Sequence, residues 1–335
     1  MSELLKNGVL RSPTSGAPLS VEGDVLVSAD GERIPVVRGV PRFVDAESYA
    51  ESFGVEWNRF PTTQLDSSNG TRISATRFEQ ITGVRPSTYA GKRVLEAGCG
   101  MGRFLDVLAT AGAEVWGADM STAVEPAARN TARHPNCQVV QADLFGMPFG
   151  AEFDLVYSFG VLHHTPDPAA ALRAIARHLK PGGELVVWVY SLGHTSGITT
   201  RAIPRPHQLY GALLRALPAA KHTQALETYT RVALAARDVA RGRKFARRAL
   251  DVVLPIQDLF AKGPLQDGYE VAGDAARRDG LRFEWGHHSA YDLLTPTYFS
   301  QHRQDEVLAW ARSAGLVDVR AGRVPSTVIA RAPSR

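Results

Sequence analysis

The run Glu96-Ala97-Gly98-Cys99-Gly100-Met101-Gly102-Arg103 concentrates the chemistry that a backbone can perform. Glycine at every second position permits positive φ and brings amide groups against a ligand with no Cβ in the way. A helical pattern starts directly behind it, with Phe104, Leu105 and Leu108 apolar, and a helix N-terminus favours negative charge. A dinucleotide turn requires G-x-G-x-x-G, and Arg103 stands at its third place. A phosphate loop requires a Lys-Ser or Lys-Thr that does not follow. Asp119 lies about 20 residues further on, the spacing at which a strand-end carboxylate reaches both hydroxyls of a ribose. The other use of such a carboxylate is a helix N-cap, which Ser121 can supply instead. His163 and His164 are of a type that titrates near neutral pH. The stretch Phe283–Tyr298 carries His287, His288, Tyr291 and Asp292, and His302 follows. None of these shows metal-ligand spacing, so no metal is expected. His164, His288, Tyr291, Asp292 and His302 could orient or deprotonate a hydroxyl. They could equally form a satisfied structural cluster.

Positioning these groups requires an α/β scaffold. Arg93-Val94-Leu95, Glu114–Ala118, Cys137–Gln141, Phe153–Ser158 and Glu184–Tyr190 read as strands. Helical patterns separate them, one over 122–134 that ends before Pro135 and one from Pro168 through His178. Lys180-Pro181-Gly182-Gly183 turns the second of these into the next strand. Residues 304–314 form a last helix closed by Gly315, and 316–320 with 327–330 an antiparallel hairpin. In an open sheet of this kind ligands sit outside the carboxyl ends of the strands.

The glycine turn resembles motif I of class I S-adenosylmethionine (SAM) dependent methyltransferases, E/D-x-G-x-G-x-G. Phe153-Asp154-Leu155-Val156, Gly160-Val161-Leu162-His163-His164-Thr165-Pro166-Asp167-Pro168 and Leu179-Lys-Pro-Gly-Gly-Glu-Leu-Val-Val187 are similar to further phrases of that family. The resemblance covers 93–190 and 303–331. It implies a Rossmann-like seven-stranded sheet closed by an antiparallel hairpin. It also implies SAM contacts from Glu96, Ala97, Gly98, Cys99, Gly100, Gly102, Arg103, Asp119, Met120, Asp143, Leu144, Phe159 and Gly160. Asp119 would take the ribose, Asp143 the adenine amino group with Leu144 on the ring, and Glu96 the loop or the methionine amino group. The His-His phrase recurs in methyltransferases of unrelated substrates, which favours a structural rim over a base.

Residues 1–45 alternate short apolar runs with turns and read as a small β-rich arm. Ile34–Phe43 resembles the end of a Trm112-like zinc ribbon. The knuckle positions read Ser12-Pro13-Thr14-Ser15 and, near the second, Ser28 and Asp30; hydroxyls are poor zinc ligands beside thiolates. The expectation is a degenerate ribbon without metal, resting on the main domain because so small a unit has little core. Residues 46–92 form a helical linker whose Tyr49, Phe53, Trp57 and Phe60 share one stripe. It either covers the cofactor cleft or docks the arm. Residues 191–302 are a mostly helical insertion between core segments 93–190 and 303–335. Its apolar stripes are Leu209/Leu213/Leu214/Leu217, Leu226/Tyr229/Val232/Ala233 and Phe245/Ala249/Leu250/Val253/Leu254. A substrate lid and a homodimer element are both open readings of it. Arg231, Arg237, Arg241, Arg243, Lys244, Arg247 and Arg248 outnumber nearby Asp238 and Asp251. They make either a solvated face or a patch for an acidic substrate, a phosphorylated carrier or a membrane surface.

The 335 residues are 44% hydrophobic and 21% charged, ordinary for a soluble protein, with no run near the roughly 20 apolar residues of a membrane span. Met1–Lys6 lacks a signal peptide's apolar core, and two cysteines make no disulfide framework, so a cytoplasmic location is expected. A net charge of +4 does not argue for nucleic acid. Three functions remain. The first is a SAM-dependent methyltransferase of a small-molecule hydroxyl, on a sugar or specialised metabolite. The others are a methyltransferase of protein or tRNA, and a non-catalytic SAM-binding partner protein.

Overall fold

A computed structural model describes residues 5, 7–44, 51–192, 206–217, 219–240, 242–254, 256 and 275–334. Four short strands, β1 (Leu19–Glu22), β2 (Val25–Ser28), β3 (Arg33–Val37) and β4 (Val40–Pro41), form an antiparallel sheet in sequential order. Helices α1 (Glu51–Arg59), α2 (Asp66–Asn69) and α3 (Ile73–Thr82) lead into the main sheet. That sheet is built by β5 (Arg93–Ala97), α4 (Arg103–Thr110), β6 (Glu114–Asp119), α5 (Val124–Thr131), β7 (Cys137–Gln141), β8 (Phe153–Phe159), α6 (Pro168–Ala176) and β9 (Leu179–Trp188). Then come four helices, α7 (Pro206–Arg215), α8 (Ala219–Val239), α9 (Lys244–Val253) and α10 (Ala275–Leu294). Last are α11 (Gln304–Ser313), β10 (Val317–Ala321) and β11 (Thr327–Arg331).

The seven strands lie in the order β10-β11-β9-β8-β5-β6-β7. Five are parallel, and β11 runs antiparallel between β9 and β10. This is the expected Rossmann-like methyltransferase sheet with its closing hairpin. Alternating side chains divide the core between the two faces, as a pleated strand requires. Val94, Val115, Leu155 and Val186 pack with Phe78 of α3, Leu105 and Leu108 of α4 and Ala127 of α5. Leu95, Trp116, Val156 and Leu185 pack with Leu172 of α6 and Val307 of α11.

Local boundaries differ from expectation in three places. The 122–134 helix is shorter, Val124–Thr131, and the next ends at Ala176 rather than His178. Lys180-Pro181-Gly182-Gly183 is no turn. It is an irregularity inside β9, whose partners on β8 jump from Leu179 opposite Phe153 to Glu184 opposite Leu155.

The arm is seated on the edge strand β7. The Phe43 amide donates to the Gln141 carbonyl, Gln138 Nε2 donates to the Gly39 carbonyl, and Arg42 reaches Gln141 and Glu125. Arg42 bridges to Gln141 and Leu10 to Phe149. Its Val9, Leu10, Leu19, Leu26 and Ile34 share one core with Trp116, Val140 and Phe149 of the main domain. The arm therefore covers polar backbone that an edge strand would expose. At the knuckle positions, Ser12 and Thr14 donate to the Glu32 carboxylate, Ser15 donates to Ser12, and the Glu32 amide donates to Ser28 Oγ. One carboxylate and four hydroxyls are thus bonded together at these positions.

The insertion helices bury only part of the first two expected stripes and no residue of the third completely. Leu214, Leu226 and Ala233 are buried, whereas Leu209, Leu213, Leu217, Val232, Phe245 and Val253 are exposed, Phe245 at 86%. The basic run is also divided. Arg237 is buried and donates to the Leu254 and Ile256 carbonyls, and Arg231 lies over the Phe283 ring at 4.6 Å. Tyr49, Arg241 and the side chains of Arg247, Arg248 and Asp251 lie outside the described residues. No helix among the described residues is long and apolar enough to cross a membrane. Cys99 and Cys137 are buried free thiols.

Glu32→Ala removes the acceptor of two hydroxyls, one of them on buried Ser12. Chemical denaturation should show a loss of about 1–3 kcal/mol; an unchanged midpoint would mean that the arm does not rest on this cluster.

Candidate functional site

The carboxyl ends of β5, β6 and β8 meet at the glycine turn. Gly98 and Cys99 both donate to the Ala118 carbonyl. The Gly100 amide donates to Asp119 Oδ2 at 2.9 Å, and Ser121 donates its amide and hydroxyl to Asp119 Oδ1. Ser121 Oγ in turn accepts the Ala123 amide, fixing the turn ahead of α5, whose N-cap Ala123 has no side-chain cap. Asp119 thus fastens the loop while its carboxylate keeps acceptor capacity beyond these three bonds. Burial raises its pKa, and those hydrogen bonds oppose the shift.

Two glycines here combine a positive φ with close neighbours. Gly98 (φ 84°) would place a Cβ 2.5 Å from Val161, and Gly100 (φ 51°) would place one 3.2 Å from the Trp57 indole nitrogen. The first closeness comes from the loop after β8; the second comes from α1, which lies over the turn. Gly54 and Asn58 of α1 rest on Thr122, with Asn58 Nδ2 donating to its carbonyl at 3.1 Å. The linker helix covers the glycine turn.

The remaining cofactor candidates surround this point. Glu96 is buried at the end of β5 and accepts from Tyr157 Oη at 2.9 Å. Burial pushes its carboxyl up to about 8; Tyr157 and the Arg103 guanidinium pull the other way. Burial brings Arg103 down to about 10, with Arg77 adding to the shift and Glu96, Tyr190 and Asp66 opposing it. Ala97 is buried and its carbonyl accepts from Ser158. Gly102 precedes α4, and the Met120 carbonyl accepts from Gln141. Asp143 caps a single 3-10 turn, accepting the Phe145 amide, and places buried Leu144 beside it. Phe159 is buried, and Gly160 (φ 73°) faces the rings of Trp188 and Tyr190.

The proton-handling candidates fall into two groups. His164 and Asp292 meet, with His164 Nε2 3.1 Å from Asp292 Oδ1 and His164 Nδ1 3.1 Å from the Tyr298 carbonyl. Tyr190 Oη also donates to Asp292. Nearby, His288 Nδ1 lies 2.6 Å from Glu56 Oε1 of α1. Tyr291 points elsewhere: its hydroxyl lies 3.2 Å from that of Thr223, within the α7–α8–α10 packing. His302 also stands apart, with Nε2 2.8 Å from Ser300 Oγ, Nδ1 3.4 Å from Glu306 and its ring against Trp310.

Rings pack against these groups. Trp57 stacks on His288 with centroids 4.7 Å apart, Phe60 meets it edge-on, and Phe53 and Phe299 flank His164. Glu56 and Tyr190 are the members that reading the sequence missed. Glu56 stands three residues after Phe53 and four before Phe60, so a carboxylate on the aromatic face was the available signal.

The protonated Glu96 has a consequence for stability. Its folded pKa of about 8 lies above the ordinary 4.5, so the native state holds a proton that the unfolded chain releases across that window. This contribution therefore falls as pH rises from about 5 to 8. Denaturation at both pH values should show a steeper decline for the wild type than for Glu96→Gln; equal slopes would refute the assignment.

A family profile described as a methyltransferase domain matches residues 95–187. The chain is 37% identical over 105 residues to a ubiquinone biosynthesis O-methyltransferase of Thiobacillus denitrificans, covering 30% of this chain and 44% of that one. It is 37% identical over 123 residues to a protein of the same name from Paracidovorax citrulli, covering 35% and 49%. The chain thus spans less than half the length of these relatives. A Methanococcus maripaludis structure described as a putative SAM-dependent methyltransferase superposes with a TM-score of 0.43 at 15% identity, over 87% of this chain and 97% of that one. Residues 95–187 thus match a methyltransferase domain and lie in a Rossmann-like sheet of the expected architecture.

Proposed function

We propose that the protein transfers a methyl group from SAM to the hydroxyl of a small molecule, a sugar or a hydroxylated specialised metabolite. The observation that carries this reading is the position of α1. It lies over the glycine turn, and its Trp57 and Glu56 meet His288 of α10, with Tyr190 bonded to Asp292 of the same helix. This contact is read as one wall of a site for a small acceptor. The ring-lined wall suits a flat hydroxylated ring, and the two relatives named above are O-methyltransferases by name. The division of the basic run, with Arg237 buried and Arg231 on Phe283, leaves less cationic surface for tRNA or protein.

The residues present fit SAM. The turn has no Cβ at Gly98 or Gly100, Asp119 retains acceptor capacity for a ribose, and buried Glu96 offers a carboxyl for an ammonium group. Asp143 with Leu144 suits the adenine. Bound there, SAM supplies a methyl group on a sulfonium that leaves readily as a thioether. The chain's own contribution is then chiefly proximity and alignment of the acceptor oxygen behind that methyl.

Calorimetry with SAM should show one site, and Asp119→Ala should weaken it at least about tenfold, or roughly 1.4 kcal/mol. No binding to the wild type, or binding indifferent to Asp119→Ala, would sink the cofactor reading. A SAM-consumption panel of catechols, phenols, sugars and total RNA should give O-methylated small molecules; methylated RNA alone would favour the other substrate class.

A further inference from the structure

We propose that the turn joining α8 to α9, with the outer stripes of the two helices, is an interfacial contact that seats the protein on an anionic lipid bilayer. It is independent of the methyl-transfer reading, since vesicle binding tests the one and SAM binding the other.

The two most exposed large apolar side chains among the described residues flank this one turn, Val239 at 75% and Phe245 at 86%. The Arg243 amide closes the turn by donating to the Ala240 carbonyl at 3.0 Å. A Cβ at Gly242 would meet nothing within 4 Å, so the turn projects into open space. Each of the two residues belongs to a stripe. On α8, Val232, Ala235 and Val239 recur at helical spacing and all are exposed; on α9, Phe245, Ala249 and Val253 do the same. The opposite sides of these helices are already satisfied. Ala233 and Leu234 share a core with Ile256, Leu254 packs against it, and Arg237 donates to the Leu254 and Ile256 carbonyls. A third exposed stripe, Leu209, Leu213 and Leu217 of α7, begins beside the end of α9, where Tyr210 Oη donates to the Val253 carbonyl. Single exposed apolar side chains are ordinary, but stripes of them mark a surface that meets something.

Charge says what it meets. Between Ala240 and Leu250 the sequence carries five cations, Arg241, Arg243, Lys244, Arg247 and Arg248, and no acid. Arg243 and Lys244 are exposed, and Asp238 ahead of the turn is engaged by Arg282. A second copy of the chain suits this poorly, because a two-fold contact lays the same patch on itself and sets cation against cation. An acidic protein surface answers the cations, but it would also need a recess for two bulky apolar side chains on a projecting turn. A bilayer answers both. Headgroup phosphates take the cations, while Phe245 and Val239 enter the boundary of the acyl chains. Neither attraction holds a protein firmly by itself; together they give reversible attachment. The helices then lie on the bilayer, consistent with the absence among the described residues of any helix able to cross it.

The test mixes the full chain with vesicles of phosphatidylcholine, alone or with phosphatidylglycerol, and reads the bound fraction by flotation. Wild type should bind the anionic vesicles at least about tenfold more tightly than the neutral ones, and high salt should erase the difference. The double variant Val239→Ser, Phe245→Ser should bind anionic vesicles about tenfold more weakly. Arg243→Glu with Lys244→Glu should do the same. Both variants should melt as wild type does, since all four side chains are exposed. No binding to anionic vesicles, or equal binding to the two kinds, overturns the proposal. So does binding that falls in the charge variant alone, which is the result expected of a purely ionic partner. Sedimentation showing a wild-type dimer that Phe245→Ser breaks would assign the patch to a second copy. A lower melting temperature in the serine variant would assign it to another part of this chain. Either result overturns the membrane contact.

Discussion

Missing side chains at Gly98 and Gly100 are the constraint around which the site is built. A methyl group at either place would collide with Val161 or press on Trp57. Because both positions are bare, the loop after β8 and the helix α1 approach the same turn from two sides. The contacts between α1 and the helices and loops beyond the turn follow from that approach. Phe53 reaches His164, Trp57 and Phe60 reach His288, and Glu56 meets the imidazole across the gap. Asp119 holds the turn in the shape that makes this fit, through the Gly100 amide.

The arm and the sheet support one another through a similar economy. The edge strand β7 would expose hydrogen-bonding groups, and the arm would have little core alone. Docking meets both needs: Phe43 and Gly39 bond to β7, and apolar side chains of the arm join the Trp116–Phe149 core. With Ser12, Thr14, Ser15 and Glu32 bonded to one another, this corner of the arm holds its shape through hydrogen bonds.

The insertion shows where charge and hydropathy patterns mislead. Arg237 reads as part of a cationic face, but it is buried and bonded to carbonyls at the end of α9 and beyond. Leu213 reads as core on helical spacing, but only Leu214 beside it is buried. Periodicity says which residues share a face; it does not say what that face meets.

The strands themselves, the glycine turn, the strand-end Asp119 and the closing hairpin were all legible in the sequence. Each depends on local rules: alternation in strands, glycine where φ is positive, a carboxylate at fixed distance from the turn. The pairing of Glu56 with His288, 232 residues apart, could not be read, and neither could the union of Tyr190, Asp292 and His164. No spacing rule links a linker helix to an insertion helix. Equally, nothing in their sequence separates His288 from Tyr291 or His302, which face other partners. Only the seating of α1 on the turn and against α10 decides which histidine Glu56 meets, because that contact is made by packing between elements distant in the chain.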